Sequence, residues 1–240
     1  MITLHTFGPY FGTPDPSPFV MKAMLLLKFA GLDYAEKRSG LRKAPKGKLP
    51  FIEDSGVLIP DSNFIRFYIE EKYRFDFDAG LTAEQRSIAW ALEKMCEEHL
   101  YFALMAERWL DDENFAKGPA QFFAAIPMPL RFAVEKLIRA RVKKTLQLQG
   151  LGRHTQGERD RLASADIDAI ATILGEKPFL MGDSPCGADA SIFGFTAAIM
   201  APALMDPLRA AAEKHQNLVG YRDRILHCYF DSLSVTGSSV

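Results

Sequence analysis

Ser17 stands directly before Pro18 at the head of an apolar run, SPFVMK, and a Pro after a Ser in that setting signals a helix start. A helix beginning there exposes unpaired N–H groups and its positive dipole end at Ser17. Such a position suits an anion or a reactive thiolate. No Cys lies nearby, so the group the sequence supplies is a hydroxyl. It can cap a helix from Pro18 to Ala30, with Gly31 as the stop, or it can serve chemistry. Asp15 and Tyr10, in the long preceding loop GPYFGTPDP, are rivals for a chemical role. A second helix start lies at Asp61–Ser62 in PDSNFI. Either residue can cap, and the cap leaves exposed the N–H groups that a carboxylate would use. Between the two lies a basic segment with Arg38, Arg42, Lys43, Lys46 and Lys48, whose bland reading is a solvated turn.

Other chemistries find no support. The five histidines (5, 99, 154, 215, 227) and three cysteines (96, 186, 228) show no CxxC or HExxH spacing, so no metal site is expected. GxSxG, P-loop and GxGxxG patterns are absent, which removes esterase and nucleotide readings. Cys186 precedes the helix-like GADASIFG; it is read as structural, with a reactive thiol at a helix N-terminus as the alternative.

The elements that must position these residues follow from periodicity. ITLHTF (2–7) reads as a strand, 18–30 as an apolar helix and DYAEKRSG as a weaker strand. LPFIEDSGVLIPDS holds two short apolar runs around Asp54–Ser55–Gly56, a hairpin signal. SNFIRFYIEEKY then reads as a helix. The order is β-α-β-β-β-α, followed by a linker near 74–81. From Leu81 onward no strand is expected. Helices are read over 82–110, over the basic run 131–148, after the capping box Thr155–Glu158, over the buried 189–200, and over NLVGYRDRILHCYF at the end. IPMPL (126–130) breaks the pattern with two prolines. The apolar positions Phe132, Leu137, Ile138 and Val142 of the basic helix suffice for ordinary packing, which is the expectation. A membrane surface or an acidic partner is the alternative. The division expected is 1–75, 82–232 and a flexible tail at 233–240.

A chain of 240 residues with net charge −1, 48% hydrophobic and 25% charged residues has an ordinary globular composition. Three scattered cysteines fit reduced thiols and a cytoplasmic setting better than a disulfide framework. MITLHTFGPY lacks the basic and apolar regions of a signal peptide. The longest apolar stretch, 190–205, is too short to span a bilayer and reads as a buried helix. Neither a membrane span nor a nucleic-acid partner is expected.

Four stretches together, SPFVMK (17–22), GKLPFIED (47–54), PDSNFI (60–65) and GDSPCGADASIFG (182–194), resemble the glutathione transferase superfamily. GRHTQGE, KPFLMGD and NLVGYRDRI are similar to its failed-axon-connections and metaxin-like branch. The resemblance implies an α/β thioredoxin-like N-terminal domain plus an all-α C-terminal domain, with glutathione as co-substrate. It implies a cis Leu49–Pro50 bond that turns the Leu49 main chain towards a ligand. Asp61 would face the γ-glutamyl ammonium, Ser62 and its helix start the carboxylate, and Lys48 or a neighbouring cation (Arg42 or Lys43) the glycine end. Ser17 falls where related enzymes have Cys or Ser, and would donate a hydrogen bond to the glutathione sulfur. Lowering a thiol pKa by two units takes about 2.7 kcal/mol. A hydrogen bond to a charged group supplies roughly 1.5–3 kcal/mol and the helix end about 0.3–1, which is adequate. A hydrophobic electrophile would sit near Tyr10, Tyr101, Phe102, Met105 and Trp109. A homodimer is the family default. The implied activity is conjugation of the glutathione thiolate to a small hydrophobic electrophile; the alternative is a non-catalytic adaptor or glutathione-binding module of the metaxin-like kind. In the family, Ser or Thr caps the buried helix three residues before an Asp. Cys186 stands at that cap here, with Asp189 after it, so a softer cap is expected, helped by Asp183 or Ser184.

Overall fold

The computed structural model describes residues 1–38, 40–204 and 206–230, apart from the Arg42 side chain; the expected tail at 233–240 lies outside them. Four strands form one sheet in the order β2-β1-β3-β4: β1 (Ile2–Thr6), β2 (Tyr34–Arg38), β3 (Phe51–Asp54) and β4 (Val57–Pro60). β1 runs parallel to β2 and antiparallel to β3, and β3 and β4 make the hairpin around Ser55–Gly56. The parallel pair needs a crossover, which α1 (Pro18–Phe29) supplies. α2 (Ser62–Tyr73) follows β4 and completes the expected β-α-β-β-β-α order.

The rest is helical: α3 (Ala83–Met95), α4 (Tyr101–Leu110), α5 (Asp112–Lys117), α6 (Leu130–Gln149), α7 (Gln156–Leu174), α8 (Gly187–Ile199), α9 (Pro207–Glu213) and α10 (Gln216–Tyr229). α3 and α4 meet through one wider turn of helix at Cys96–Leu100, where a single helix over 82–110 was expected. The short α5 and α9 were not expected; their local signals are the caps Asp111 and Asp206. The apolar stretch 190–205 is helical only to Ile199, after which Ala201 and Leu204 stay buried in a connection. Thr155 and Glu158 form the expected capping box of α7. Among the described residues, no helix is long and apolar enough to cross a membrane.

α1 and α8 are the centre. Both are apolar nearly all round, as helices covered on every side must be. Nine residues of α1 and all thirteen of α8 are buried. The two helices touch at Gly194, where a Cβ would come within 2.4 Å of the Pro18 carbonyl oxygen. Only glycine admits that approach, and it fixes the start of α1 against the helical unit.

Candidate functional site at the sheet end

Strand register alone gathers the expected residues. His5 at the end of β1 pairs with Phe51 at the start of β3, and Phe51 pairs with Pro60 at the end of β4. The loop to Ser17 leaves one end of this row, Leu49–Pro50 enters it, and Asp61–Ser62 departs from it. The Leu49–Pro50 bond is cis, as expected. Among the described residues, the Leu49 N–H and C=O make no hydrogen bond. Leu49 is 7% exposed, and these two unbonded groups are what a ligand pairing like an added strand would use. The Pro50 carbonyl accepts from the Asp61 N–H at 3.1 Å, which ties this loop to the start of α2.

Asp61 caps α2, its carboxylate accepting from the Asn63 N–H at 3.0 Å. Its φ of 79° is a sparsely populated conformation for a residue with a side chain, and such outliers cluster at ligand sites. Ser62 is buried. Lys46, not one of the cations expected for the ligand, lies 3.7 Å from Asp61 and over the Phe64 ring at 4.2 Å. Lys48 is exposed.

Ser17 caps α1, its hydroxyl accepting from the Val20 N–H at 3.4 Å. That is long for a hydrogen bond, so the hydroxyl is weakly engaged. Asp15 is the stronger organiser. Its carboxylate accepts from the Phe7, Gly8 and Ser17 N–H groups at 2.9, 3.0 and 2.9 Å. Burial pushes its pKa up to about 7, against those three donors. Asp15 therefore holds the loop rather than facing a ligand. Arg108 fastens the same loop to the helical unit. Its guanidinium donates to the Pro16 and Ala198 carbonyls at 2.7 and 2.8 Å and lies over Phe11. No motif signalled Arg108, because its partners are main-chain atoms about ninety residues away.

A buried ionic lattice backs the site. Lys22 of α1 donates to Asn63, Glu93 and Glu97 at 2.7, 2.9 and 2.6 Å. Lys94 reaches Asn63 and Glu97, and the Ser191 hydroxyl donates to Glu97 at 2.7 Å. Arg66 joins Glu70, Asp78 and Glu93. Burial opposes ionisation of Glu97, yet Lys22 and then Lys94 hold its pKa down at about 2. The lattice clamps Asn63, the residue after Ser62, to both α1 and α3. A lone Lys inside PFVMKAMLLL was its one sequence signal.

Of the residues expected around the electrophile, Tyr10 lines an open cleft of about 500 Å³ with Phe11, Gly12, Gln121, Pro202 and Ala203. The other four lie elsewhere. Tyr101 packs edge-on to Phe19, Phe195 and Phe102. Trp109 meets Phe115 and Phe123, and Met105 is half-buried on α4. Tyr101 is half-buried among these rings, and burial raises its pKa. Cys186 is buried and its thiol is pushed up by burial, which removes the reactive-thiol alternative. The cap it leaves weak is completed by Asp78, which accepts from the Gly187 N–H at 3.0 Å, and not by Asp183 or Ser184. Asp189 accepts from the Cys186 and Leu180 N–H groups and from Tyr221.

Residues 18–114 match the glutathione S-transferase N-terminal domain and residues 163–225 the glutathione S-transferase C-terminal domain. The isoprene-epoxide glutathione S-transferase of a Rhodococcus strain is 33% identical over 238 residues, covering 95% of this chain and 99% of that protein. Failed axon connections of Drosophila melanogaster is 30% identical over 94% of this chain, which spans only 57% of that longer protein. The crystal structure of a beta-etherase from Sphingobium superposes with a TM-score of 0.65 at 16% identity, covering 98% of this chain and 99% of that one. Both domain matches and 33% identity over nearly the full length agree with the sheet order and helix content: the chain belongs to the glutathione S-transferase family.

Proposed function

We propose that the chain binds glutathione at this sheet end and uses Ser17 to stabilise the thiolate that attacks a small hydrophobic electrophile. The observation that carries the reading is the unbonded Leu49 main chain flanked by two helix starts, at Ser17 and at Asp61–Ser62. The peptide pairs with Leu49, the γ-glutamyl carboxylate with the start of α2, its ammonium with Asp61, and the glycine end with Lys48. In an epoxide, the class named for the Rhodococcus relative, the sulfur forms a bond to a ring carbon as the C–O bond breaks. The released alkoxide takes up a proton. The cleft beside Tyr10 supplies an apolar wall for the electrophile.

The unit boundary belongs in 74–82, between α2 and α3. The chain is a homodimer in this reading. Phe64, Phe67 and Trp90 stand exposed on α2 and α3, with Phe67 stacked on Trp90 and Lys94 over its ring. Such a patch needs a cover. Three free cysteines fit a cytoplasmic location.

Titrating glutathione calorimetrically in two buffers of different ionisation enthalpy tests the reading. Binding with nearly one proton released at neutral pH is the expected result. Binding without release supports the second reading, a non-catalytic glutathione-binding module, which the similarity to failed axon connections favours. No binding overturns both.

A further inference from the structure

α6 does not pack as its sequence led us to expect. Of its twenty residues only Leu146 is buried. Phe132 and Leu137, expected in the core, are 64% and 68% exposed, and Met128 and Leu130 just before them are 71% and 60% exposed. Ile138 and Val142 carry what packing there is, half-buried. The helix holds six basic residues against one acid, Glu135. Two of the six are committed. Arg131 pairs with Glu135 at 2.7 Å, and Arg139 turns inward to the Trp109 and Leu110 carbonyls and to Asp112. The other four, Lys136, Arg141, Lys143 and Lys144, are exposed and make no ion pair with any described residue.

At 3.6 residues per turn these groups share one broad arc. Leu130 and Leu137 follow one another along the axis, with Arg141 and Lys144 beside them and Ala133 and Ala140 in the middle. Phe132, Lys136 and Lys143 form the other margin, where they line a cleft of about 410 Å³ with Leu110, Ala140, the inward-turned Arg139 and Glu135, whose charge Arg131 pairs. Aliphatic side chains interleaved with unpaired cations on one exposed helical face are the composition of an interfacial helix.

We propose that α6 docks this protein, peripherally and reversibly, on the surface of an anionic phospholipid bilayer. Leu130 and Leu137 enter the boundary between headgroups and acyl chains. Lys136 and Lys143, two turns apart on one margin, seat a headgroup phosphate over the cleft, and Arg141 and Lys144 meet its neighbours. An acidic protein would satisfy the cations but give no reason for bare leucines among them. A second copy of the chain would bring four more cations against these four. A bilayer satisfies both. The proposal does not depend on the glutathione reading, since none of these residues belongs to that site.

Co-sedimentation of the full chain with vesicles tests it. The vesicles are phosphatidylcholine alone, or phosphatidylcholine with about a third phosphatidylglycerol. The chain is expected to sediment with the mixed vesicles only and to be released as salt rises to about 0.5 M, where screening shortens the reach of the charges. Lys136→Glu, Lys143→Glu and Lys144→Glu together lower partitioning about 100-fold or more. Leu137→Ser lowers it about tenfold. All four positions are exposed, so the thermal midpoint stays put; Lys→Gln at the same three positions is the milder version should the triple reversal not fold. Equal binding to neutral vesicles, no binding, or binding unmoved by these substitutions overturns the proposal. So does self-association at equilibrium that Leu137→Ser abolishes without vesicle binding, which assigns the face to a second copy.

Discussion

Replacing Ser17 by Ala separates a helix cap from a thiolate donor, because the two roles differ in size and in what they move. As a cap the hydroxyl is weakly placed, at 3.4 Å from the Val20 N–H, which also donates to the Ser17 carbonyl at 3.1 Å. The Asp15 bond to the Ser17 N–H is main-chain and survives in Ala. Pro18 has no N–H to lose. Loss of the cap therefore costs about 0.5–1 kcal/mol, the low end of the usual range. As a donor to a bound sulfur the hydroxyl contributes about 1.5–3 kcal/mol, which is roughly one to two pKa units of the bound thiol. The helix end remains in the variant and retains about 0.3–1 kcal/mol. The assay is conjugation of a model epoxide under saturating glutathione, followed against pH. In the variant the rising limb shifts up by about one to two units, so the rate falls roughly 10- to 100-fold below the native pKa and converges well above it. Glutathione affinity holds below the native pKa, where the bound thiol is protonated in both proteins. A loss that is equal at every pH, or an unmoved limb with a lowered unfolding midpoint, refutes the reasoning and leaves Ser17 as a cap.

Asp61→Asn keeps a helix cap of equal rank but removes the charge. Unfolding is expected to change little, since the Lys46–Asp61 pair is 49% and 40% exposed and such pairs contribute about 0–1 kcal/mol. Glutathione affinity is expected to fall about 10- to 100-fold in calorimetry, as a charged hydrogen bond is lost. Lys22→Met leaves Glu93 and Glu97 buried without their main cation. Denaturant unfolding is expected to show a loss of about 3–5 kcal/mol. Asp15→Asn tests the raised carboxyl. Its folded pKa of about 7 lies above the ordinary aspartate value of 3.8, so the folded state holds the extra proton between them. Asp15 thus makes the native protein gain stability as pH falls from about 7 towards 4. Asn abolishes that gain; an unchanged slope in pH-dependent unfolding sinks the assignment. Glu97 has the opposite sign. Its pKa, lowered from 4.5 to about 2, gives stability that is complete above 4.5 and lost as pH falls towards 2.

What the sequence made legible was local. Ser17–Pro18, Asp61–Ser62, the Asp54–Gly56 hairpin and the Thr155–Glu158 box each act within four residues, and each stands where its chemistry put it. Pairing adds the next level. Once three strands share the row His5, Phe51 and Pro60, the two helix starts and the Leu49 loop must meet at one sheet end. What was not legible needs partners far along the chain. Lys22 and Glu97 are 75 residues apart, Arg108 and Pro16 ninety-two, and Asp78 and Gly187 one hundred and nine. Nothing local distinguishes such a lysine or aspartate from a solvated one. The same limit explains the failed expectation on α6. An apolar residue every three or four positions says that a helix has an apolar face, but not that another helix covers it. α6 keeps four of its six cations unpaired and Leu130 and Leu137 bare because nothing in the described chain folds over that face. The long-range bonds divide into two sets. Lys22, Arg66 and Asp78 bind the helical unit to α1 and α2 from behind. Arg108 binds the Pro16 loop from above. Ser17 lies between these two anchorages, held by its main chain through Asp15, with its hydroxyl spent only on a 3.4 Å contact. A rigidly held main chain carrying a weakly committed hydroxyl is what a donor to a bound sulfur requires, whereas a hydroxyl kept only for capping would be expected to close that distance.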